Sequence, residues 1–398
     1  MNAYEQVQSL VDQGEIEITY IDHLPRTISH ALARCMFEVY DGYINEPFFS
    51  TSNAGTEKGF VGFDDACTKI VNEYARIKTE NPDKKPVTIL IKDVAKSMPG
   101  KYWGEWLALT TNVISLIRDP HLQIYSLMEA VANDNWHRGQ TLATQEQVLS
   151  EGDRIARTLR AYGTEKINTT SWNPMGEHQA FLASYMAEHP EKRHIIMDGN
   201  MVLMQPEIAV KQMMDTIGNP AFKPEMLADW GKSANGLPND RDWGRSKINV
   251  DGRTQNSWTN NAFSQSGFKP AGNRAVPLSK FPAMMQEHLL EVSLPVYLDM
   301  LQHPNSIAPR TMRDMMEMLN MQVNLDGESF MDVSPTSAYC FIATLNDEDL
   351  SHSDVVIKSR ELDSIKDKHP EHSTFFEAVD EYLRGRYERK PQSIEVRT

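Results

Sequence analysis

The stretch Thr111–Leu127, TNVISLIRDPHLQIYSL, joins a short apolar run to a helical pattern through a tight turn. Its β-branched first part is typical of a buried strand in a parallel sheet. The run ends at Arg118-Asp119-Pro120, and Ser126 follows eight positions after the arginine. An arginine at the end of a buried strand, with a hydroxyl two turns into the next helix, can hold a phosphate from two sides. The stretch therefore predicts a strand–helix unit with a phosphate site at its junction.

Length and composition are those of an ordinary folded protein. The chain has 398 residues, 40% hydrophobic and 24% charged, and is long enough to bury a sizeable core. It contains no run of about 18 apolar residues, which argues against a membrane-spanning helix. The first segment, MNAYEQVQSLVDQGEIE, is polar and acidic and lacks the pattern of a secretion signal. We therefore expect a cytoplasmic protein without a membrane partner.

Cysteine content and net charge restrict the ligands. Cys35, Cys67 and Cys340 lie far apart and form no metal-ligand spacing, so we expect neither a disulfide framework nor a structural zinc site. The formal net charge of −15 argues against broad binding to nucleic acid, which depends on basic surfaces. Any bound anion must therefore be held by a local pocket.

Apolar runs alternate with longer amphipathic stretches, which indicates an α/β protein with a central, mostly parallel β-sheet flanked by helices. The predicted strands are Ile16–Ile21, Val87–Lys92, Asn112–Ile117 and His194–Met197. The predicted helices are Ser29–Tyr40, Phe63–Thr79, Pro120–Asn135, Gln145–Tyr162 and Gly176–His189.

The distal half has a different character. Gly, Asn, Asp and Pro concentrate in Gly231–Gly252, and a loop of that length is more often functional than idle. Helical spacing continues through Phe281–Leu301 and Met312–Leu319. Beyond about Asn324, the stretches SAYCFIATL and VVIK look strand-like beside an acidic-basic helix, which predicts a small α+β appendix. We therefore divide the chain into an α/β domain, residues 1–302, and a C-terminal helical or α+β extension, residues 303–398.

A second anion site is predicted after the first strand, in IEITYIDHLPRTISHALARCM. Pro25-Arg26 begins a turn there, and Thr27, Ser29 and His30 stand where a helix should start. Backbone N–H groups at a helix amino terminus, with hydroxyls and a cation beside them, form an anion site. A simple Ser29 helix cap next to a surface arginine remains the alternative. The sequence contains no GxxxxGK[ST] motif, so the loop is not a Walker A loop.

Together these segments resemble the P-loop sulfotransferase superfamily, in particular its bacterial-type members with an arginine in the phosphosulfate loop. The family loop P-[KR]-[ST]-G-[ST]-T aligns with residues 25–30, and its Arg-Asp-Pro signature with a later serine aligns with Arg118-Asp119-Pro120 and Ser126. Asn45-Glu46-Pro47-Phe48 is similar to an (H/G)-E-P-F segment, and residues 197–230 are similar to a D-G-x-x-L…P…G-x-x-F unit. The matching pieces cover about residues 16–302.

The resemblance implies a P-loop NTPase-like sulfotransferase fold that binds 3′-phosphoadenosine 5′-phosphosulfate (PAPS) and transfers its sulfuryl group to a small-molecule hydroxyl or amine. Arg118 and Ser126 would hold the 3′-phosphate. Arg26 would stabilise the leaving group, whose charge grows during transfer, and no metal would be needed. The 5′-phosphosulfate would be surrounded by the loop residues Arg26, Thr27, Ile28, Ser29 and His30, and late basic residues would close over the donor, with Arg245, Lys269 and Arg274 as candidates.

The acceptor must lose a proton, so a base is expected near the reacting centre. The histidine that follows the second strand in many cytosolic relatives is missing, because that strand ends Ile91-Lys92-Asp93-Val94. By resemblance to the carbohydrate-directed and bacterial branches, Glu46 is the expected base and His30 the second candidate. Glu46 could instead be a surface residue in a turn, and Asp93 could orient Lys92 or the acceptor or form a structural ion pair.

Two departures from the family pattern leave other hypotheses open. Ile28 stands where the family has Gly or Ala, although β-branched residues disfavour positive φ. His30 replaces a hydroxyl residue, and a nearby anion would favour its charged form. The alternatives are a nucleotide-dependent phosphotransferase on the same scaffold and a catalytically degenerate binding or scaffold protein. For the C-terminal extension, covering the acceptor site and forming a homodimer both remain open.

Overall fold

The structure is a computed structural model that describes residues 1–36, 39–48, 62–94, 100–137, 176–219, 268, 275–308, 314 and 334–388. In this part of the chain, a six-stranded sheet has the order β2-β3-β1-β4-β5-β6, and every neighbouring pair is parallel. The strands are β1 (Ile16–His23), β2 (Gly42–Asn45), β3 (Val87–Val94), β4 (Asn112–Ile117), β5 (Arg193–Asp198) and β6 (Ser306–Ile307).

Helices connect the strands and cover both faces of the sheet. They are α1 (Ala3–Asp12), α2 (Ser29–Met36), α3 (Phe63–Glu80), α4 (Trp103–Leu109), α5 (Pro120–His137), α6 (Glu177–Glu188), α7 (Gly199–Met204), α8 (Pro206–Ile217), α9 (Ala283–His288), α10 (Leu294–Gln302), α11 (Pro335–Ala343), α12 (His352–Lys368) and α13 (Ser373–Glu388). A π-helical segment, Leu289–Ser293, joins α9 to α10. No helix in the described ranges is both long and apolar enough to cross a membrane.

The strands are apolar on both faces because each face of the sheet is covered by helices. Side chains of α1, α3, α4 and α6 pack against one face, and those of α2, α5, α8, α10, α11 and α13 pack against the other. Every residue of β4, NVISLI, is buried. This double burial produces the near-continuous apolar runs that predicted the strands, and the predicted α/β fold with a central parallel sheet is confirmed.

The parallel arrangement brings the carboxyl ends of the strands to one edge of the sheet. In the strand register, Asp22 lies beside Asp93, His23 beside Leu116, and Ile117 beside Asp198. The segments that follow β1, β4 and β5 therefore meet at this edge. In open α/β sheets this is where ligands bind.

Several elements differ from the sequence prediction. VVIK and all but the last two residues of SAYCFIATL, both predicted to be strand-like, lie in the helices α12 and α11, respectively. The strand prediction was wrong for α11 because every residue from Thr336 to Ala343 is buried, so its helix has no polar face and no helical periodicity. The short strands β2 and β6 and the helices α1 and α4 were not predicted.

The described C-terminal helices pack into the same core as the sheet. Tyr339 and Phe341 of α11 and Phe376 of α13 share one cluster with Ile21 and Leu116. The division at residue 302 stays a prediction. The helices predicted at Gln145–Tyr162 and Met312–Leu319 lie outside the described residues, apart from Asp314, as does the loop Gly231–Gly252.

Candidate active site

The loop between β1 and α2 has carbonyl groups that are held by buried side chains. Thr27 Oγ1 donates to the Leu24 carbonyl at 2.7 Å, and Gln123 Nε2 donates to the Pro25 carbonyl at 2.9 Å. The Arg26 carbonyl accepts a hydrogen bond from Arg118 Nη1 at 2.9 Å. Three consecutive carbonyl groups are thus fixed by the protein interior, which fixes the loop conformation.

The backbone dihedral angle φ changes sign from residue to residue along this loop. Arg26 has φ 72° and Ile28 has φ 62°, while Thr27 between them is not left-handed. In loops that alternate between right- and left-handed conformations, successive N–H groups can turn to one side and form a concave anion-binding nest. The first hydrogen bonds of α2 are accepted by the Ile28 carbonyl, from Ala31 at 3.0 Å and Leu32 at 3.1 Å. The amino terminus of α2, which is the positive end of its helix dipole, therefore directly follows this loop.

Backbone strain is concentrated at this edge of the sheet. The described ranges contain three non-glycine residues with positive φ, namely Arg26, Ile28 and Glu46. Glu46 precedes Pro47, a position that normally favours extended backbone. Conformations of this kind cost roughly 1–3 kcal/mol each and cluster at functional sites.

Gly199, the first residue of α7, allows that helix to approach the loop closely. An ideal Cβ at Gly199 would lie 3.2 Å from the Thr27 carbonyl oxygen, 3.3 Å from the Ile117 carbonyl oxygen and 3.4 Å from Ile28 Cγ1. The contact with Ile28 also shows that this isoleucine packs inward, against the core. Burial therefore stabilises a residue whose backbone conformation is unfavourable.

We expect Ile28→Gly to be more stable than Ile28→Ala by about 1 kcal/mol. Both variants lose the same core contacts, but only glycine removes the cost of a left-handed backbone. Urea unfolding of the two variants measures the difference. Ala75→Gly, at an exposed position inside α3, is the control and should show the ordinary order, with glycine less stable. Equal stability of the two Ile28 variants would argue against the left-handed loop.

Arg26, Arg118 and Ser126 lie together at the ends of β1 and β4. Arg26 Nε donates to Ser126 Oγ at 3.2 Å, and Arg118 contacts the Arg26 carbonyl. The sequence placed Ser126 with Arg118 on one phosphate, whereas the structure places Ser126 against Arg26. Arg118 is only 8% exposed, and burial, followed by the nearby charge of Arg26, lowers its pKa to about 10. Arg118 therefore remains cationic at neutral pH.

Glu46 is held by a buried lysine. Lys92 Nζ is completely buried and donates to Glu46 Oε1 at 2.7 Å, and the Glu46 backbone N–H donates to the Lys92 carbonyl. Because the Glu46 side chain is only 15% exposed, the alternative of an unconstrained surface glutamate does not apply. The ion pair joins β3 to the turn after β2.

His30 lies next to this ion pair, with Nε2 3.8 Å from Glu46 Oε1. Burial, followed by the charges of Lys92 and Arg26, lowers the pKa of His30 well below its usual value. The imidazole is therefore neutral at neutral pH. The neutral imidazole has a lone pair that can take a proton, but the lowered pKa makes it a weak base.

Asp93 supports the turn that carries Glu46. Its carboxylate accepts hydrogen bonds from the backbone N–H groups of Phe48 at 2.9 Å and Val94 at 2.7 Å. Since consecutive strand residues point to opposite faces, Asp93 lies on the other side of β3 from Lys92. Of the roles left open for Asp93, orienting Lys92 is not what these contacts indicate. Burial, followed by the charge of Glu46, raises the pKa of Asp93 to about 8.

Several polar residues of this edge were not singled out from the sequence. Gln123 and Asn200 are completely buried and contact the loop or Arg118, and His178 Nε2 lies 2.8 Å from Asp22 Oδ1. A glutamine within the apolar run HLQIYSL was a usable signal, because an uncharged polar residue on a buried face requires a partner. Asn200 and His178 gave no comparable signal.

The remaining predicted ligands are three basic residues of the distal half. Arg245, Lys269 and Arg274 lie outside the described residues. Among the residues that are described, no three His, Cys, Asp or Glu side chains are grouped so that they could hold a metal ion. This edge of the sheet thus brings together a loop that carries one arginine and contacts another, the Glu46–Lys92 ion pair and the neighbouring His30.

Comparisons with known proteins identify no family for this chain. No protein-family model matches it, and no curated protein matches it. One solved structure with some similarity is a sulfotransferase domain from the curacin biosynthetic pathway. The two chains are 15% identical, the alignment covers 53% of this chain and 77% of that chain, and the TM-score is 0.31. A similarity of this size carries no argument about function, which must be argued from the site itself.

Proposed function

We propose that the protein is a sulfotransferase that uses PAPS as donor and a small-molecule hydroxyl or amine as acceptor. The observation that supports this best is the strained loop after β1, where two residues with positive φ, the start of α2 and the side chains of Arg26 and Arg118 lie close together. An acid–base pair, Glu46 and His30, borders the same loop. Group transfer from an anionic donor needs both a site that holds the donor and a base for the acceptor.

The residues present fit the anionic groups of such a donor, because the loop offers backbone N–H groups and two permanent cations. The loop residues 26–30 would hold the 5′-phosphosulfate, and Arg118 with Ser126 would hold the 3′-phosphate, with Arg245 and Lys269 as additional ligands. PAPS supplies a sulfuryl group on a phosphate leaving group. Arg26, which is part of this loop, would stabilise the charge that grows on the leaving phosphate.

On the acceptor side, Glu46 would take the proton from the hydroxyl or amine. Lys92 keeps its carboxylate oriented and makes the ionised form favourable at a position that is mostly buried. His30 is the second candidate, since its neutral imidazole lies beside the same carboxylate oxygen. The two candidates predict different effects of substitution, because Glu46→Gln removes the base only in the first case.

The test is isothermal calorimetry with 3′-phosphoadenosine 5′-phosphate (PAP). We expect wild type to bind it and Arg118→Ala to bind it roughly 10- to 100-fold more weakly, the size of a lost charged hydrogen bond. Arg76→Ala is the control, because Arg76 pairs with Glu73 and Glu80 on α3 and should not affect binding. Absence of wild-type binding would refute the proposal.

Catalysis is tested by release of PAP from the donor with a panel of phenols, alcohols and amines. Arg26→Ala should lower the rate roughly 10²- to 10³-fold, as expected for loss of one preorganised donor. Transfer from ATP with magnesium, without transfer from PAPS, would instead establish the phosphotransferase hypothesis. Binding of PAP without any group transfer would favour the scaffold hypothesis.

A further inference from the structure

A ring of hydrogen bonds links the neighbours Arg118 and Asp119 through two distant residues. Arg118 Nε donates to Asn200 Oδ1 at 3.3 Å, and Asn200 Nδ2 donates to Ser337 Oγ at 3.1 Å. Ser337 Oγ donates to Asp119 Oδ2 at 2.8 Å. The side chains of Asn200, Ser337 and Asp119 are completely buried. The ring therefore joins the end of β4 to α7 and to the C-terminal helix α11.

The direction of each hydrogen bond in this ring follows from the chemistry of its members. A guanidinium has only donors, so the Asn200 amide must turn its oxygen towards Arg118. Its NH₂ group then faces Ser337, whose own proton goes to the Asp119 carboxylate, which only accepts. Each residue thus donates to the next, from Arg118 through Asn200 and Ser337 to Asp119. Neighbouring hydrogen bonds in such a chain strengthen one another. The amide of Asn200 consequently has a single favourable orientation.

Asp119 is also held by a second hydroxyl of α11. Thr336 Oγ1 donates to the same carboxylate oxygen, and Ser334 Oγ lies 2.8 Å from Thr336 Oγ1. The other carboxylate oxygen accepts from the backbone N–H of His121 at 2.9 Å, in the first turn of α5. Asp119 therefore connects the amino termini of α5 and α11. This fixes Ser337 relative to the strand that carries Arg118.

Arg118 is held in turn by two different elements. Its Nε contacts Asn200, and its Nη1 contacts the Arg26 carbonyl in the loop after β1. Two hydrogen bonds to separate elements fix both the position and the plane of a guanidinium group. Because Asn200 is oriented by Ser337, the plane of Arg118 depends on a residue of α11.

We propose that Asn200 and Ser337 are positioning residues for Arg118, so that the C-terminal helix α11 is an integral part of the nucleotide site. The proposal rests on the proposed function, in which Arg118 holds the 3′-phosphate of the donor. It assigns a role to the C-terminal segment other than covering the acceptor or forming a dimer. Recognition of the 3′-phosphate would then depend on three distant parts of the chain, which contribute Arg118, Asn200 and Ser337.

The experiment compares the affinities of PAP and adenosine 5′-phosphate, which differ in the 3′-phosphate alone. We expect wild type to prefer PAP, and Ser337→Ala to reduce the preference roughly 10-fold, the size expected for one buried hydrogen bond. The affinity for adenosine 5′-phosphate should fall much less, because this nucleotide lacks the 3′-phosphate that Arg118 would hold. Ser337→Thr keeps the hydroxyl and should restore the preference. Asn200→Ala should act like Ser337→Ala.

The control is Tyr339→Phe in the same helix, which removes a hydroxyl that donates to Asp380 at 2.8 Å on α13. A purely structural role of α11 would lower thermal stability in both variants and leave the ratio of affinities constant. A wild-type protein that binds neither nucleotide would refute the proposed function. A wild-type preference for PAP that persists in Ser337→Ala and Asn200→Ala would overturn the positioning role alone.

Discussion

Replacing Lys92 by methionine is expected to lower the free energy of unfolding by about 3 kcal/mol. The Lys92 side chain is completely buried, and its ammonium group lies 2.7 Å from Glu46 Oε1. Methionine fills a similar volume but leaves the Glu46 carboxylate without this cation in a site where it is only 15% exposed. The loss lies at the lower end of the range for broken buried ion pairs, because Glu46 retains some contact with water.

A double-mutant cycle separates the ion pair from the packing of the lysine stem. In Lys92→Met combined with Glu46→Gln, the carboxylate charge is removed together with the ammonium charge, so most of the lost stability should return. Lys84→Met is the control, since Lys84 is 44% exposed and forms a surface ion pair with Asp41 at 3.1 Å. Its stability should be nearly that of wild type. Urea unfolding at neutral pH gives all the values.

If Lys92→Met were as stable as wild type, the buried pair would not be the feature that holds the turn of Glu46. The same variant would then be expected to retain any transferase activity. Under the proposed function, loss of the oriented carboxylate should also reduce the rate, which links the stability measurement to the site.

Asp93 is expected to make the protein less stable as the pH rises from about 4 to about 8. Burial, followed by the charge of Glu46, raises its pKa from 3.8 to about 8 in the folded protein. The folded state therefore holds a proton that the unfolded state releases. The resulting stabilisation is fully present below pH 4 and is lost as the pH rises through 8. A shift of this size corresponds to about 6 kcal/mol over the whole window.

The effect is isolated by comparing wild type with Asp93→Asn at several pH values, because other groups also titrate. Burial raises the pKa of Asp198 to about 6, which acts in the same direction, and lowers the pKa of His194 to about 3, which acts in the opposite direction. These contributions cancel in the difference between the two proteins. The difference in free energy of unfolding should fall steadily between pH 4 and pH 8.

Asp349→Asn is the matched control, because Asp349 is exposed and should give a constant difference. A constant difference for Asp93→Asn as well would mean that Asp93 is ionised throughout. In that case the N–H groups of Phe48 and Val94 would outweigh the cost of burying the charge.

The main strands and the position of the site could be predicted from residue patterns, for identifiable reasons. The strands β1, β3, β4 and β5 are buried on both faces, so each is a nearly continuous apolar run that stands out locally. The short strands β2, GYIN, and β6, SI, contain too few residues to show any pattern. The placement of Arg26 and Arg118 at one edge followed from the parallel order of the strands.

The contacts inside the site were not predictable in the same way. The pairing of Arg26 with Ser126 joins residues that are 100 positions apart, and Lys92 and Glu46 are 46 positions apart. A β-branched residue such as Ile28 disfavours positive φ, yet Ile28 has φ 62° in the structure. This conformation is imposed because other elements hold the neighbouring loop carbonyls and the core contacts of the loop. Local preference is a small energy compared with such tertiary contacts.

By itself, the sequence determined the parallel α/β framework and the expectation that Arg26 and Arg118 follow neighbouring strands, because burial on two faces produces local apolar runs and each arginine follows one of them. Only the tertiary structure decided that most of SAYCFIATL is helical and that its Ser337 contacts Asp119, 218 positions away. A fully buried helix has no periodic polar face. A hydrogen bond across such a separation depends on the packing of the whole chain, which no local pattern records.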